Sequence, residues 1–255
     1  NEPDDPRKYL KNFLLHFRPV SVPERSLHMT LSWGLGVTST VLLMLLMATG
    51  LLLKFVYEPT PASAYDSIVH LGRDVPLGQL LRNLHRWSGY GLLTAAFLHL
   101  LRVFLTGGFH GRRRSNWLVG LGILFCVLLS GFTGYLLTWD QTAYWAITIC
   151  TEMIGLIPGI GPALQTGILG GGAIGSSTLI NFYALHIVLT PALLLALMSW
   201  HFWYIRTSGG VVQPSAPPDD PGAASRTVPL IPNMLTKEVT VALALIASVL
   251  VLAIV

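Results

Sequence analysis

The sequence predicts an all-α membrane protein, a transmembrane four-helix bundle followed by a fifth, C-terminal transmembrane helix. Three observations carry this. Of the 255 residues, 52% are apolar and 11% charged, and the mean hydropathy is +0.60, well outside the range of water-soluble domains. The apolar residues fall into five long runs. Between those runs the cations gather on alternate connections and are missing from Ser115 to Phe182. This composition excludes a water-soluble enzyme, and a net charge of +4 could not keep so apolar a chain solvated and disordered. A pI near 9.2 does not mark a nucleic-acid partner, because the sixteen Lys and Arg are spread over short segments between the runs rather than gathered on one face.

The five runs are Met29–Tyr57, Leu80–Leu105, Trp117–Thr138, Leu179–Ile205 and Val239–Val255, each close to the roughly 20 residues that cross about 30 Å of hydrocarbon. Residues 1–28 hold Arg7, Lys8, Lys11, Arg18 and Arg25, with no apolar core or cleavage site, and read as an amphipathic segment on the cytoplasmic side rather than a secretory signal. Arg102, Arg112, Arg113 and Arg114 between the second and third runs share that side by the positive-inside rule. The four-helix unit is expected over residues 29–210. The connection from Trp139 to Ser177, about forty residues long and rich in aromatic residues and Pro-Gly turns, is too long for a simple turn and suits amphipathic interfacial helices on the outer side. Residues 211–235, with the string QPSAPPDDPGAAS, read as a cytoplasmic linker, and 236–255 as the fifth helix, whose apolar run reaches Val255 without a polar stop. Two cysteines, Cys126 and Cys150, with no CxxC pair, read as small apolar residues.

Two runs carry paired histidines: His85 and His99 fourteen residues apart, His186 and His201 fifteen apart. Ionisable side chains inside a bilayer are costly and usually functional. Fourteen residues is close to four helical turns, so His85 and His99 share a face about 21 Å apart along the axis. The second and fourth runs point the same way, which levels His85 with His186 near the outer side and His99 with His201 near the inner side. Two imidazoles facing each other across a bundle supply the axial nitrogens of a haem iron, so the pattern predicts two haems. Hydrogen-bonded lone histidines, or a haem-free proton-relay transporter, explain single positions but not the shared interval.

Gly36 and Gly50 on the first run, and Gly120 and Gly134 on the third, repeat the fourteen-residue interval. Glycine permits close backbone approach to a macrocycle edge, although small residues are also routine at membrane helix contacts. Arg82 and Arg86 bracket His85, and Arg102 follows His99 by one turn; all three are candidate partners for anionic propionates, with simple membrane anchoring the alternative for Arg102. His16, His28, His70 and His110 have no partner at matching depth and read as interfacial, with His28 within reach of a ligand at the inner boundary.

With His85-Arg-Trp-Ser, the Leu-Thr-Gly-Gly-Phe ending at Phe109, the Gly-Tyr-Leu-Leu-Thr-Trp-Asp-Gln ending at Gln141, and Phe182-Tyr-Ala-Leu-His186 in view, residues 10 to 210 resemble the cytochrome b/b6 family. The fifteen-residue interval and Trp139-Asp140-Gln141 are similar to its chloroplast and low-GC bacterial branch. The resemblance implies the cytochrome b subunit of a respiratory or photosynthetic quinol oxidoreductase complex, in a bacterial cytoplasmic membrane and not active alone. It implies that electrons cross the membrane through two bis-histidine haems between quinol and quinone sites, with His85 and His186 on the low-potential outer haem and His99 and His201 on the high-potential inner one. It further implies that Trp139, Asp140, Tyr144 and Trp145 line the outer quinol pocket and that Arg206 lies by the inner quinone site. Implied partners are an iron-sulfur or c-type cytochrome acceptor, a C-terminal cytochrome b part, the lipid bilayer and a second copy in a homodimeric complex. A di-haem anchor wiring a dehydrogenase or multihaem partner to the quinone pool through a single quinone site is the alternative. Three departures stand out. Gly34 replaces the cysteine that tethers an extra c-type haem in the chloroplast branch, so no covalent haem is expected. Thr138 replaces the proline before the tryptophan. The acidic Pro-Glu-Trp-Tyr loop is absent from these residues, and Pro229–Val255 is similar to the start of the part that carries it.

Overall fold

The computed structural model describes residues 21–28, 33–208, 210 and 226–254. Most of the N-terminal segment and of the linker, including His16, lies outside the described residues. Five helices are long and apolar enough to cross a membrane: α1 (Leu35–Leu53), α3 (Gly78–Leu105), α4 (Arg114–Leu136), α7 (Ser176–Thr207) and α8 (Leu230–Ile254). Three shorter helices, α2 (Ala64–Arg73), α5 (Gln141–Gly155) and α6 (Gly161–Leu169), lie in the connections. The all-α four-helix bundle with a fifth spanning helix is the observed architecture, and the protein is an integral membrane protein.

The spanning helices follow the apolar runs but shift at their ends. Helix α1 stops at Leu53, ahead of Lys54. Helix α8 begins well before Val239, because Pro229 and Pro232 organise the entry: Ile231 has extended dihedrals (φ −101°, ψ 126°), as expected before a proline. Strand β1 (Ser21–Pro23) pairs antiparallel with β2 (Thr227–Pro229), with Val22 opposite Val228. Lys237 Nζ donates to Leu27 O at 2.7 Å, so the entry to α1 and the entry to α8 are tied together at one end. The sequence held no alternation long enough to announce this two-stranded pairing.

At the opposite end α2, α5 and α6 cap the bundle. The interfacial helices expected between the third and fourth runs are α5 and α6; α2 had no forecast. Ala143, Ile147 and Thr151, one turn apart, form the buried stripe of α5, and Ala143 and Ile147 build an apolar cluster under the cap with Leu136, Leu169 and Phe182. Tyr144, Trp145, Ile149 and Met153 are left exposed on the other face. Such a helix lies in an interface plane rather than crossing it.

Helices α1 and α3 pack side by side, as do α4 and α7, and α8 lies along α3 and α1. The main core cluster holds Leu43, Leu92, Val127 and Leu194. These stand midway between Gly36 and Gly50, His85 and His99, Gly120 and Gly134, and His186 and His201. One residue from each of the four helices thus makes an apolar septum between the two histidine levels, joined by Leu42, Ala95, Cys126 and Val249. Cys126 is buried and Cys150 only half-buried, because the latter sits on the amphipathic α5.

Leu194 is buried in the septum and its neighbour Leu195 is exposed. Leu194→Ala should destabilise the purified protein by about 2–5 kcal/mol through a cavity. Leu195→Ala should leave the thermal unfolding midpoint in detergent nearly unchanged, and unfolding curves of the two variants check this.

Candidate functional site: two imidazole pairs in the bundle

Four histidines converge as two couples. His85 of α3 faces His186 of α7 with ring centres 6.3 Å apart and planes at 75°; His99 faces His201 with centres 6.4 Å apart and planes at 77°. Sequence spacing alone does not deliver this. Fourteen residues of regular helix keep His85 and His99 in phase, but fifteen on α7 would rotate His201 away. The difference is absorbed by a π-helical turn over Leu185–Leu189, which holds one residue more than an α turn and contains His186 itself.

Local chemistry explains where that turn sits. Thr190 N–H bonds Leu185 O, the π pattern, and the amide that would follow belongs to Pro191, which has no N–H. The His186 carbonyl is instead met by Thr190 Oγ1 at 3.3 Å, and Thr190 Oγ1 contacts Ser130 Oγ of α4 at 3.1 Å. The widened turn is therefore pinned to the neighbouring helix by hydroxyl groups.

The state of the imidazoles can be read from their partners. His186 Nδ1 lies 3.0 Å from the Ser130 carbonyl, which can only accept, so Nδ1 carries the proton. Thr133 Oγ1 is 3.3 Å from the same nitrogen. His85 Nδ1 lies 2.9 Å from Thr49 Oγ1, whose own hydroxyl donates to Leu45 O at 2.7 Å; Nδ1 of His85 is therefore the donor. In both rings Nε2 keeps a free lone pair, the form required of an axial ligand. At the other level His99 Nδ1 is buried without a hydrogen-bond partner, and His201 has the Asn116 backbone beside its ring.

Each of the four glycines backs one imidazole. A Cβ built at Gly50 would meet His85 Cε1 at 3.1 Å, one at Gly134 would meet His186 Cε1 at 2.5 Å, and those at Gly36 and Gly120 would lie 3.6 and 3.8 Å from Cε1 of His99 and His201. The nearest neighbours of these glycines are thus the rings of the histidines themselves, which refines the expectation that they clear space for a macrocycle edge. Tyr57, seven residues beyond Gly50 on the same stripe, stacks on Tyr183 with ring centres 5.6 Å apart and donates to Leu137 O at 2.9 Å. This roofs the His85 level, and burial holds the Tyr57 phenol above its ordinary pKa.

The remaining candidates divide by end. Arg102 is half-buried one turn from His99 and Arg206 is exposed in the last turn of α7. Arg113 donates to Gly210 O and Ser208 O, both at 2.7 Å, capping the carbonyl end of α7. At the capped end Arg82 is half-buried, and Arg86 is exposed over the Trp87 ring. Trp139, Asp140, Tyr144 and Trp145 stand together at the start of α5. Asp140 is its N-cap, accepting from Ala143 N at 2.8 Å, a structural duty the sequence reading did not assign. Trp139 adopts φ +51°, uncommon for a bulky residue, and Tyr144 and Trp145 pack edge to face. His70 pairs with Asp74 at 2.9 Å, His110 lies tilted against the Phe109 ring, and His28 lines a small cleft with Gly34, Met234 and Lys237. The sequence reading missed Thr49, Thr133, Ser130 and Thr190. The legible signal was a repeated Thr-Gly doublet, Thr49-Gly50 and Thr133-Gly134, absent before Gly36 and Gly120.

Residues 20–209 match the family model described as Cytochrome b/b6/petB. The chain belongs to the cytochrome b/b6 family. Among curated relatives it is 40% identical to cytochrome b6 of Tupiella akineta over 182 residues, 71% of this chain and 85% of that protein. It is 39% identical to cytochrome b6 of Synechococcus sp. (strain WH7803), over 71% of this chain and 84% of that one. Among solved structures it is similar to a chain of a hyperthermophilic respiratory complex III, at a TM-score of 0.80 and 24% identity, over 98% of this chain and 65% of the other. The family model stops before α8, whereas this likeness of fold runs on through it.

Because the Cβ at Gly134 would crowd its imidazole and that at Gly36 would not, Gly134→Ala should disturb the His186 level and Gly36→Ala should be tolerated. Thermal unfolding of the two purified variants in detergent checks this: the first should unfold at a lower temperature than the second.

Proposed function

We propose that this chain is the cytochrome b subunit of a quinol oxidoreductase complex, moving electrons across the bilayer between quinone-reactive sites at its two ends. The single observation that carries the reading is the pair of imidazole couples at two depths. Metal–imidazole bonds of about 2.0–2.1 Å on opposite sides of one ion separate the ring centres by roughly 6 Å, which is the spacing of both couples. Among the described residues no group of three or more His, Cys, Asp or Glu converges. Two facing imidazoles with no third such ligand among the described residues would suit a metal carried by an organic cofactor, and not a bare zinc or copper site.

His85 and His186 would hold one b-type haem and His99 and His201 another, each supplying one-electron redox chemistry at an iron with no open position. Around them this chain's own residues do identifiable work. Gly50 and Gly134 let the backbones of α1 and α4 close on the imidazoles. The Tyr57–Tyr183 stack and the α5 cap exclude water from the His85 level. Trp117 Nε1, a buried donor without a partner, and Arg102 suit an anionic edge at the His99 level, and Arg82 and Arg86 one at the other. The leucine and valine septum keeps the two levels apart and dry.

Facing the capped end outward agrees with the cations of residues 111–114 on the cytoplasmic side. The exposed aromatic face of α5, with Tyr144, Trp145 and the strained Trp139, would then line an outer quinol pocket, and Arg206 would sit by an inner quinone site. Gly34 has no thiol to tether a further haem. An iron-sulfur or c-type cytochrome acceptor and a C-terminal cytochrome b part complete the complex in this reading, supported by the likeness to a complex III chain of which this chain spans 65%.

Replacing His99 with Leu should remove one haem and leave the other reducible, since the couples share no ligand. Pyridine haemochrome assay and reduced-minus-oxidised spectra of the purified variant test it. Half the wild-type haem content, with one component of the α-band, is expected. Loss of both haems in a folded protein would contradict the pairing.

A further inference from the structure

The two imidazole levels differ in one respect that the spacing does not require. Around His85 and His186 every Nδ1–H has an acceptor backed by a carbonyl. Thr49 Oγ1 takes the proton of His85 at 2.9 Å while giving its own to Leu45 O. Ser130 O takes the proton of His186 at 3.0 Å, with Thr133 Oγ1, whose hydroxyl donates to Leu129 O at 2.9 Å, alongside. Around His99 and His201 no hydroxyl takes that part: His99 Nδ1 is buried without a partner, and His201 has only the Asn116 backbone beside its ring, fourteen residues before Ser130. The cause is a residue choice. Thr49 and Thr133 each precede the glycine that backs the imidazole, whereas the glycines at the other level are preceded by Leu35 and Val119.

A threonine in a helix whose hydroxyl proton is committed to the carbonyl four residues back presents only lone pairs sideways. Glycine at the next position brings the imidazole close enough to use them. An acceptor on Nδ1–H makes the imidazole a stronger donor through Nε2, which favours the more oxidised state of a bound iron and lowers its potential. In hydrocarbon surroundings, with no water to compete, such a bond acts at nearly full strength.

Building on the proposed haem ligation, we propose that Thr49, with Thr133 as its counterpart on α4, is a positioning residue that sets the potential of the His85–His186 haem below that of the His99–His201 haem through Nδ1 of the axial histidines. Thr49 carries the larger share, because it is the acceptor for His85, whereas His186 keeps the Ser130 carbonyl when Thr133 is changed. Neither threonine touches substrate; both act through a ligand.

The test is a potentiometric titration of the α-band in the purified, haem-loaded protein, read separately for the two components. Thr49→Val keeps the shape and removes the acceptor. It should raise the midpoint of the lower component by a three- to tenfold change in its reduction equilibrium, about 30–60 mV for one electron, and leave the other component in place. Thr49→Ser should return it to the wild-type value. The converse variant, Val119→Thr, introduces a hydroxyl one residue before Gly120 with the Ser115 carbonyl four residues behind it. It should lower the higher component by a similar amount and stays informative if Thr49→Val loses its haem. An unmoved lower component in Thr49→Val, equal shifts of both components, or an unmoved higher component in Val119→Thr would overturn the assignment. A wild-type protein without two components would instead overturn the haem reading on which it rests.

Discussion

Everything in this bundle is arranged around the cost of placing four imidazoles where the surrounding solvent is hydrocarbon. A polar ring in that setting needs a partner on each side. The structure gives each histidine a second ring about 6.3–6.4 Å away, centre to centre, and a glycine behind it. From this come the fourteen-residue repeat on three helices, the π turn that restores phase on the fourth, and the band of leucine and valine between the levels. Helix α8 stands outside the arrangement. It closes over α3 and α1, with Asn83 Nδ2 donating to Ala253 O at 3.0 Å and Val249 reaching the septum.

Much of this was legible in the amino-acid sequence, for physical reasons. A spanning helix must be apolar for about 20 residues, so the five runs declare themselves. Ionisable residues inside them are rare enough that an interval shared by two histidine pairs stands out. Helix ends were less legible: α8 starts at Leu230 because two prolines and a paired strand organise its entry, and Asn233, Thr236 and Lys237 carry no apolar signal. Helix α2 escaped because its ten residues, half of them apolar, are too few to register as a span and buried on only one face. Asp140 is a candidate pocket residue by sequence, and its carboxylate has the further duty of capping α5. A residue's type does not reveal which backbone amide it meets.

The hydroxyl groups show a second limit. A lone Thr or Ser in an apolar helix normally bonds its own backbone and says nothing more. Thr49, Thr133 and Thr190 do bond their own backbones, and only three-dimensional placement shows that the remaining lone pairs reach His85, His186 and Ser130. The fifteen-residue interval was likewise readable as a family trait of the cytochrome b/b6 branch and not as geometry. Its meaning, one residue stored in a π turn before a proline, needs the backbone.

The central claim is that each couple holds one haem between its two imidazoles. Acid-acetone extraction of the purified protein, followed by haem and protein quantitation, tests it most directly. The account predicts two haems per chain, both released without covalent residue and both low-spin in the ferric state. One haem per chain, none, or a high-spin iron with an open position would contradict it.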